Sequence, residues 1–296
     1  MSTLMRRIFL CIIGILAGLT AWPLAEVTLL LQSSFPSYLV FTVFLGMVFG
    51  LIIGGLFGSS DGIIMSISSN IFSGMFRGAI IGIIGGINGF LIGQAALFVI
   101  GDIFIHSMKS FNTIGLPFSR AIGWAFLGIF IGSIDGFRSR SWNKIKVGII
   151  GGILGGFLGG LALEYIRMII PNIMFARLGG LMIFGLFIGL FYGFVENRLS
   201  FGVLRLLNGK FKGKEYLINQ RKMKIGNSDK NDIVLSGYDN ISDLHAELRF
   251  MKNEVVIKNH DKKNPVLVNE DKINEHQLKL EDVIKIGSAK LLFKFK

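Results

Sequence analysis

The sequence predicts a two-part protein, an α-helical membrane bundle of about six transmembrane helices followed by an all-β sandwich. The division rests on where glycine and charge fall along the chain. Of the 39 glycines, 33 lie before residue 198, and that part has only 11 basic and 6 acidic residues. The remainder has 20 basic and 13 acidic residues, a composition typical of a water-soluble domain. We therefore expect a polytopic membrane domain over residues 1–197 and a soluble domain over residues 201–296.

Six apolar runs are long enough to cross a bilayer, which requires about 20 residues of helix. They span roughly residues 8–31, 38–58, 78–101, 120–137, 147–169 and 178–196. The first run is longer than the apolar core of a typical signal peptide, so we expect it to remain in the protein as a helix.

Basic residues in the connecting segments indicate the orientation of these helices. They are Arg6 and Arg7 before the first run, Arg77 before the third, residues 138–146 between the fourth and fifth, and Arg198 after the sixth. Segments rich in Lys and Arg stay on the cytoplasmic side of a membrane. Lys109 and Arg177 lie on the opposite side and reduce the contrast. We expect a multi-pass protein of a bacterial-type inner cell membrane with both termini in the cytoplasm.

Three of the apolar runs share a glycine repeat. The copies are GGLFGSSDG at 54–62, GIFIGSIDG at 128–136 and GLFIGLFYG at 185–193. Glycine at every fourth residue leaves bare backbone along one helix face, so neighbouring helices can approach closely. The repeat predicts a glycine zipper between stacked helical hairpins of a duplicated unit. A pore or substrate path along the same faces is the alternative.

Charged residues recur within the repeat and in a later helix. Asp61 and Asp135 occupy equivalent repeat positions at the cytoplasmic ends, where we expect them to be solvated or ion-paired. Glu164 and Arg167 are three residues apart, a spacing that brings them together on one helix face. We expect these two side chains to pair.

After Asn197 the pattern changes from helical to alternating. Short segments such as KEYLI, KMKIG, EVVIK and KLLFKF are separated by glycine, asparagine or charged turns. Nine or more short strands in fewer than a hundred residues are typical of a β-sandwich.

Five segments of this domain follow the order of a known family. They are LxGxxxGKEY from Leu207, IGxSxxNDI from Ile225, SxxHAEL from Ser242, NPVLVN from Asn264 and LxxxDVIKIG from Leu278. In order and spacing they resemble the forkhead-associated (FHA) domain, a β-sandwich family that binds phosphothreonine peptides. The resemblance covers the whole soluble segment.

The resemblance also implies which residues bind. In the family, an arginine after the Ile-Gly pair and the serine of SxxH hold the phosphate, and an asparagine holds the ligand backbone. The phosphopeptide-binding residues implied here are Asn227, Ser228, Ser242 and Asn264. The loop-structural residues implied here are Gly226, Asn231, Asp232 and His245.

Asn227 stands where the family usually has arginine. Arginine bonds phosphate twice through a planar, charged fork, whereas the asparagine amide carries no charge. The replacement of the family's arginine by Asn227 should therefore weaken phosphate binding by about ten- to hundredfold.

Other functional classes are disfavoured by composition. The net charge is +12, but the lysines are scattered, without the basic helix or aromatic platform of a nucleic-acid-binding protein. A basic face near an anionic lipid bilayer is the simpler explanation. The membrane part has one histidine, His106, and one cysteine, Cys11, which argues against a nucleophile–base pair or a metal site. We expect no enzyme activity, no metal, no other cofactor and no nucleic-acid partner.

Three functions remain open. The first is a docking protein whose FHA domain binds a phosphorylated or acidic protein partner, such as a serine/threonine kinase substrate, in signalling or assembly at the membrane. The second is a channel or transporter component gated by the soluble domain, with Asn88 and Gln94 as intramembrane polar residues inside the bundle. The third is an FHA fold that is used only for phosphate-independent assembly.

Overall fold

The computed structural model describes residues 2–65, 68–104, 107–251 and 254–294, so His106 lies outside the described residues. The chain forms two compact units. One is Arg6–Glu196, and the other is Asn197–Lys296 together with Met1–Met5.

Within the described residues, six helices are long and apolar enough to cross a membrane, which confirms the predicted number. They are α1 (Thr3–Leu30), α2 (Tyr38–Met65), α3 (Ser68–Ile103), α4 (Met108–Ser139), α5 (Trp142–Ile169) and α6 (Ile173–Arg198). Several extend beyond the apolar runs, and α3 begins at Ser68 rather than near residue 78. Glycine, serine and charged residues continue these helices because a helix satisfies its own backbone hydrogen bonds.

Glycines form the contacts between paired helices. A Cβ atom added to Gly50 on α2 would lie 1.9 Å from the carbonyl oxygen of Gly82 on α3. The same crowding occurs between Gly128 of α4 and Gly152 of α5, where the distance is 2.2 Å. Each predicted hairpin, α2–α3 and α4–α5, is therefore packed backbone against backbone. The third copy of the repeat lies on α6 and packs in the same way against α1.

Asp61 lies inside the bundle rather than at a solvated helix end, since its side chain is only 1% exposed. Its two carboxylate oxygens accept hydrogen bonds from Arg6 at 2.8 Å and Arg138 at 2.6 Å. The Nζ atom of Lys144 is 3.8 Å away. Asp135 is also buried, and it accepts a hydrogen bond from the hydroxyl of Tyr192 at 3.2 Å. Asp135 Oδ1 also lies 3.8 Å from Arg138. Of the two expected environments, ion pairing is therefore correct for both carboxylates, and solvation is wrong for both.

In the described part of the second unit there are eleven strands, two more than the minimum expected. They are β1 (Gly202–Leu206), β2 (Glu215–Ile218), β3 (Lys222–Gly226), β4 (Ile233–Val234), β5 (Ala246–Met251), β6 (Glu254–Asn259), β7 (Val266–Val268), β8 (Asp271–Ile273), β9 (Glu275–Gln277), β10 (Val283–Ile286) and β11 (Ala289–Lys294). One sheet has the order β2-β1-β11-β10-β7-β8, and the other has the order β4-β3-β5-β6-β9.

The two sheets enclose one apolar core. Alternate side chains of a strand point to opposite faces of its sheet. In β11, for example, Ala289, Leu291 and Phe293 are buried, and they pack with Ile225 of β3 and Ile257 of β6 in the same cluster. Because the core draws on strands of this unit alone, we expect residues 201–296 to fold without the helices.

Candidate functional site

Three loops carry the residues implied by the FHA resemblance. They are residues 227–232 between β3 and β4, residues 235–245 between β4 and β5, and residues 260–265 between β6 and β7. Backbone hydrogen bonds join them. The amide of Asn227 donates to the carbonyl oxygen of Ser242 at 3.0 Å, and the amide of His260 donates to that of His245 at 2.9 Å.

Gly226 is required by the close approach of the first two loops. A Cβ atom at this position would lie 2.2 Å from the carbonyl oxygen of Asp243. The side-chain amide of Asn231 donates to that same oxygen. Asp232 fixes the other end of the loop, since it accepts hydrogen bonds from the Lys224 amide at 2.8 Å and from the Gln220 side chain at 3.0 Å. These three residues hold the loops together.

His245, at the end of the 235–245 loop, is completely buried and contacts the backbone of that loop. Its Nδ1 atom accepts a hydrogen bond from the backbone amide of Ser242 at 3.3 Å. Burial lowers the pKa of the imidazole, an effect that the nearby Asp261 carboxylate partly offsets. The neutral ring therefore orients Ser242.

Ser242 and Asn264 converge on one carboxylate, that of Asp261. The Ser242 hydroxyl donates to Asp261 Oδ2 at 2.5 Å, and Asn264 Nδ2 donates to the same oxygen at 3.2 Å. The amide of Lys263 donates to Asp261 Oδ1 at 2.8 Å. The hydrogen bond from Ser242, followed by that from Lys263, holds the pKa of Asp261 well below its usual range. Two of the four residues implied to bind a phosphopeptide thus already contact an anion, which the protein itself supplies.

Sequence reasoning did not single out Asp261. The only local signal is the spacing in NHDKKN, where Asn259 Oδ1 accepts a hydrogen bond from the Asp261 amide at 3.1 Å and fixes the turn. Asn227 is exposed beside this turn, and Ser228 is half-buried. The structure therefore places Ser242 and Asn264 together, with Asn227 and Ser228 on the neighbouring loop.

The two intramembrane polar residues lie in different environments. Gln94 is half-buried and donates to the hydroxyl of Tyr38 on α2 at 3.2 Å, across two helices. Asn88 is exposed on the surface of the bundle, where its side chain donates to the Ile84 carbonyl oxygen of its own helix at 2.7 Å. The prediction that Asn88 points into the bundle is wrong. Its own turn of helix satisfies the amide, so the side chain needs no interior partner.

The two sheets and the motif loops at one end define the class of protein: a chain with six candidate membrane helices and a C-terminal FHA-type β-sandwich. The predicted FHA resemblance is confirmed. A family model described as "Inner membrane component of T3SS, cytoplasmic domain" (Yop-YscD) matches residues 205–296. No curated protein matches the chain.

Solved structures similar to this chain include FHA domains. That of the CT664 protein from Chlamydia trachomatis is 26% identical, with coverage of 32% of this chain and 97% of that one and a TM-score of 0.30. The Slr1951 protein from Synechocystis sp. is 24% identical, with coverage of 32% and 95% and a TM-score of 0.29. The N-terminal FHA domain of Saccharomyces cerevisiae Rad53p, solved with a phosphothreonine peptide, is 13% identical, with coverage of 32% and 93% and a TM-score of 0.30.

The site offers hydrogen-bond donors and one anion. Within the part of the chain that the structure describes, no three His, Cys, Asp or Glu side chains lie close enough together to hold a metal ion. The described loop residues suit the recognition of a protein surface, because their backbone is fixed and Asn227 and Ser228 lie at the rim.

Proposed function

We propose that this chain is a membrane-anchored docking protein whose FHA domain binds a partner protein on the cytoplasmic face of an inner membrane, without requiring phosphate on that partner. The observation that carries the proposal is the convergence of Ser242 and Asn264 on the Asp261 carboxylate. Because the loops are already bridged, they form a preorganised surface that a partner can contact.

The same carboxylate disfavours a phosphothreonine ligand. A phosphate carries about 1.5 to 2 negative charges at neutral pH, and Asp261, with its lowered pKa, is ionised there. Phosphate would have to displace Asp261 from Ser242 without the arginine that the family usually supplies at the position of Asn227. Lys224 and Lys230 are exposed nearby. A flexible lysine ammonium, however, cannot form the two parallel hydrogen bonds that the planar arginine side chain forms with a phosphate.

The membrane location is supported by three observations. Six helices in the described residues are long and apolar enough to span a bilayer. Most basic residues of the connecting segments lie on the same side of these helices as the two chain termini, which favours the cytoplasm for that side. The matched family model describes the cytoplasmic domain of a secretion-system inner membrane component. We take assembly of a multiprotein complex at the membrane as the corresponding role of this chain.

Site-specific photo-crosslinking tests this function in cells. A photoreactive residue replaces Ser228 on the loop rim of the full-length protein, and a matched control replaces Lys285, which is exposed on β10 of the other sheet. We expect a crosslinked partner from position 228 and none from position 285. The yield from position 228 should be the same when isolated membranes are treated with phosphatase before irradiation. Equal crosslinking from both positions would contradict docking through the loops, and loss of the crosslink after phosphatase would contradict phosphate independence.

A further inference from the structure

A cavity of about 260 Å³ lies within the helical unit, and all six helices contribute to its walls. Its lining includes Ala25 near the end of α1, Tyr38 at the start of α2, Gln94 of α3, Arg120 of α4, Glu164 of α5 and Leu181 of α6. These positions lie toward the bundle end that carries the 31–37 and 170–172 connections, away from the buried Asp61. The FHA domain contributes nothing to this cavity, so it is a separate candidate site.

The inner part of the cavity is aromatic. Phe49, Phe90 and Trp124 pack against one another, with ring centroids 5.3 to 5.6 Å apart. All three line the cavity. Ligand pockets in proteins are mostly apolar with a few convergent polar groups, and this wall supplies the apolar part.

Arginines line another part of the same cavity, and they outnumber the carboxylates there. Arg120, Arg167, Arg177 and Glu164 are its charged lining residues. Arg120 donates to Glu164 at 2.8 Å, and Arg167 donates to the same carboxylate at 3.1 Å. Arg177 pairs with Glu26, at 3.2 Å. Counting both carboxylates, this group keeps one positive charge.

Among the arginines that line the cavity, one buried nitrogen has no hydrogen-bond partner in the described residues. Arg167 Nε is buried and makes no hydrogen bond among the described residues. A buried donor without an acceptor costs about 1 to 3 kcal/mol. An anionic group placed among these arginines would supply both the missing acceptor and the missing negative charge.

We propose that this cavity binds an anionic amphiphile, with its acidic headgroup against Arg167, Arg120 and Arg177 and its short apolar tail against the Phe49–Phe90–Trp124 wall. The volume fits a small molecule, because it corresponds to the space of about nine water molecules. The ligand is either a soluble alkyl phosphate or carboxylate, or an anionic lipid that inserts part of one chain. Both sources share the same recognition chemistry.

Tryptophan fluorescence of the full-length protein in phosphatidylcholine nanodiscs tests the proposal. The substitutions Trp22→Phe and Trp142→Phe leave Trp124 as the single reporter among the three tryptophans of the chain. Neither removed side chain is among the residues that line the cavity. The probes are octyl phosphate and its uncharged counterpart, octanol.

We expect octyl phosphate to change Trp124 emission saturably and to bind at least about tenfold more tightly than octanol, because charge-assisted hydrogen bonds form only with the phosphate. Arg177→Gln and Arg120→Gln should each weaken octyl phosphate binding by about tenfold. Arg77→Gln is the matched control, because Arg77 is exposed at the other end of α3.

Nanodiscs that contain phosphatidylglycerol distinguish the two sources. Competition that weakens octyl phosphate binding in these nanodiscs identifies an anionic lipid as the occupant, whereas unchanged binding identifies a soluble ligand. Both results support the site. Absence of a saturable response in phosphatidylcholine, octanol binding as tight as that of octyl phosphate, or an equal loss in Arg77→Gln and Arg177→Gln would overturn it. The comparison of probes uses no arginine variant, so it remains decisive even if a variant fails to fold.

Discussion

Asp261 is the side chain around which the three loops of the candidate site, residues 227–232, 235–245 and 260–265, are organised; we call them the recognition loops. Three groups donate hydrogen bonds to its carboxylate, namely the Ser242 hydroxyl, the backbone amide of Lys263 and the side-chain amide of Asn264. Asp261→Ala removes the common acceptor, so these donors must find water or remain unsatisfied. We expect the free energy of unfolding of residues 201–296 to fall by about 1 to 3 kcal/mol, measured by urea denaturation.

Lys262→Ala is the matched control for this substitution, because Lys262 is the exposed neighbour in the same turn. It should change the free energy of unfolding by less than about 0.5 kcal/mol. An equal effect of the two substitutions would show that the carboxylate does not organise the loops.

His245 gives the soluble domain a dependence on pH. Burial lowers the imidazole pKa in the folded domain, so below about pH 6.5 the unfolded chain takes up a proton that the folded ring resists. The stability from this residue is complete above about pH 6.5 and is lost as pH falls through the folded pKa. Asp261 stays ionised throughout this pH range because its hydrogen bonds hold its pKa well below the usual range of a carboxyl group. We expect the urea midpoint to fall between pH 7.5 and pH 5.

His245→Asn should flatten this decline relative to the unsubstituted domain, because the buried imidazole is then absent. Urea midpoints at four or five pH values measure both slopes. A decline that is equally steep in His245→Asn would assign the pH dependence to other groups.

At the residue scale, sequence motifs identified Ser242 and Asn264 but missed Asp261. The motifs record positions that the FHA family shares, and Asp261 is not among them. Its role depends on the β6–β7 turn folding back over the Ser242 loop, a tertiary arrangement that local spacing does not encode. Asn88 shows the reverse error, since a polar residue in an apolar run suggested an interior partner while the helix backbone already supplied one.

At the scale of elements, glycine decides how closely the helices pack. A Cβ atom at Gly50 would lie 1.9 Å from a backbone oxygen of α3, so Gly50→Ala must push the two helices apart. Backbone atoms cannot move aside as a flexible side chain can, and overpacking of this kind costs about 1 to 3 kcal/mol. We expect a lower thermal unfolding midpoint for the full-length protein in detergent.

Gly179→Ala provides the control, because a Cβ atom there would meet nothing within 4 Å. Alanine has a higher helix propensity than glycine by about 1 kcal/mol, so this variant should be unchanged or slightly more stable. If both substitutions lowered the midpoint equally, close packing at Gly50 would not be the cause.

Asp61 joins helices through charge. Its carboxylate binds Arg6 of α1 and Arg138 of α4 while lying on α2. Asp61→Asn leaves these buried cations with less compensation, and removal of one partner of a buried ion pair costs about 3 to 5 kcal/mol. We expect a large drop in the thermal unfolding midpoint in detergent. Asp102→Asn, at an exposed position on α3, should leave it unchanged.

The sequence predicted the number of helices and their pairing into hairpins, because apolar length and glycine spacing are local properties. It placed several helix ends too early. The charged residue of the repeat looked like a boundary with water, yet α2 runs past Asp61 to Met65. The cationic side chains that α1, α4 and α5 bring to the same place make that position compatible with the interior.

At the scale of the whole molecule, the chain combines six candidate membrane helices with an FHA-type sandwich, each with its own core. The helical unit has no counterpart among the motifs of the FHA family, so its cavity required the structure. The sandwich was predictable because its motifs extend from Leu207 to Gly287. Its ligand class was not predictable from the motifs. Asn227 removes the positive charge of the family's arginine, and only the structure shows that the Asp261 carboxylate adds a negative charge at Ser242 and Asn264.

We propose that the recognition loops bind a partner without phosphate because the Asp261 carboxylate already occupies Ser242 and Asn264. The most direct measurement is a titration of residues 201–296 with matched pools of phosphothreonine and threonine peptides. We predict affinities within about threefold of each other for the unmodified domain, since a charge-assisted contact would give at least about tenfold. A double variant, Asn227→Arg with Asp261→Asn, should gain at least about tenfold for the phosphorylated pool. Binding of the unmodified domain to phosphothreonine peptides at least about tenfold more tightly than to threonine peptides, with loss of that preference in Ser242→Ala, would contradict the claim.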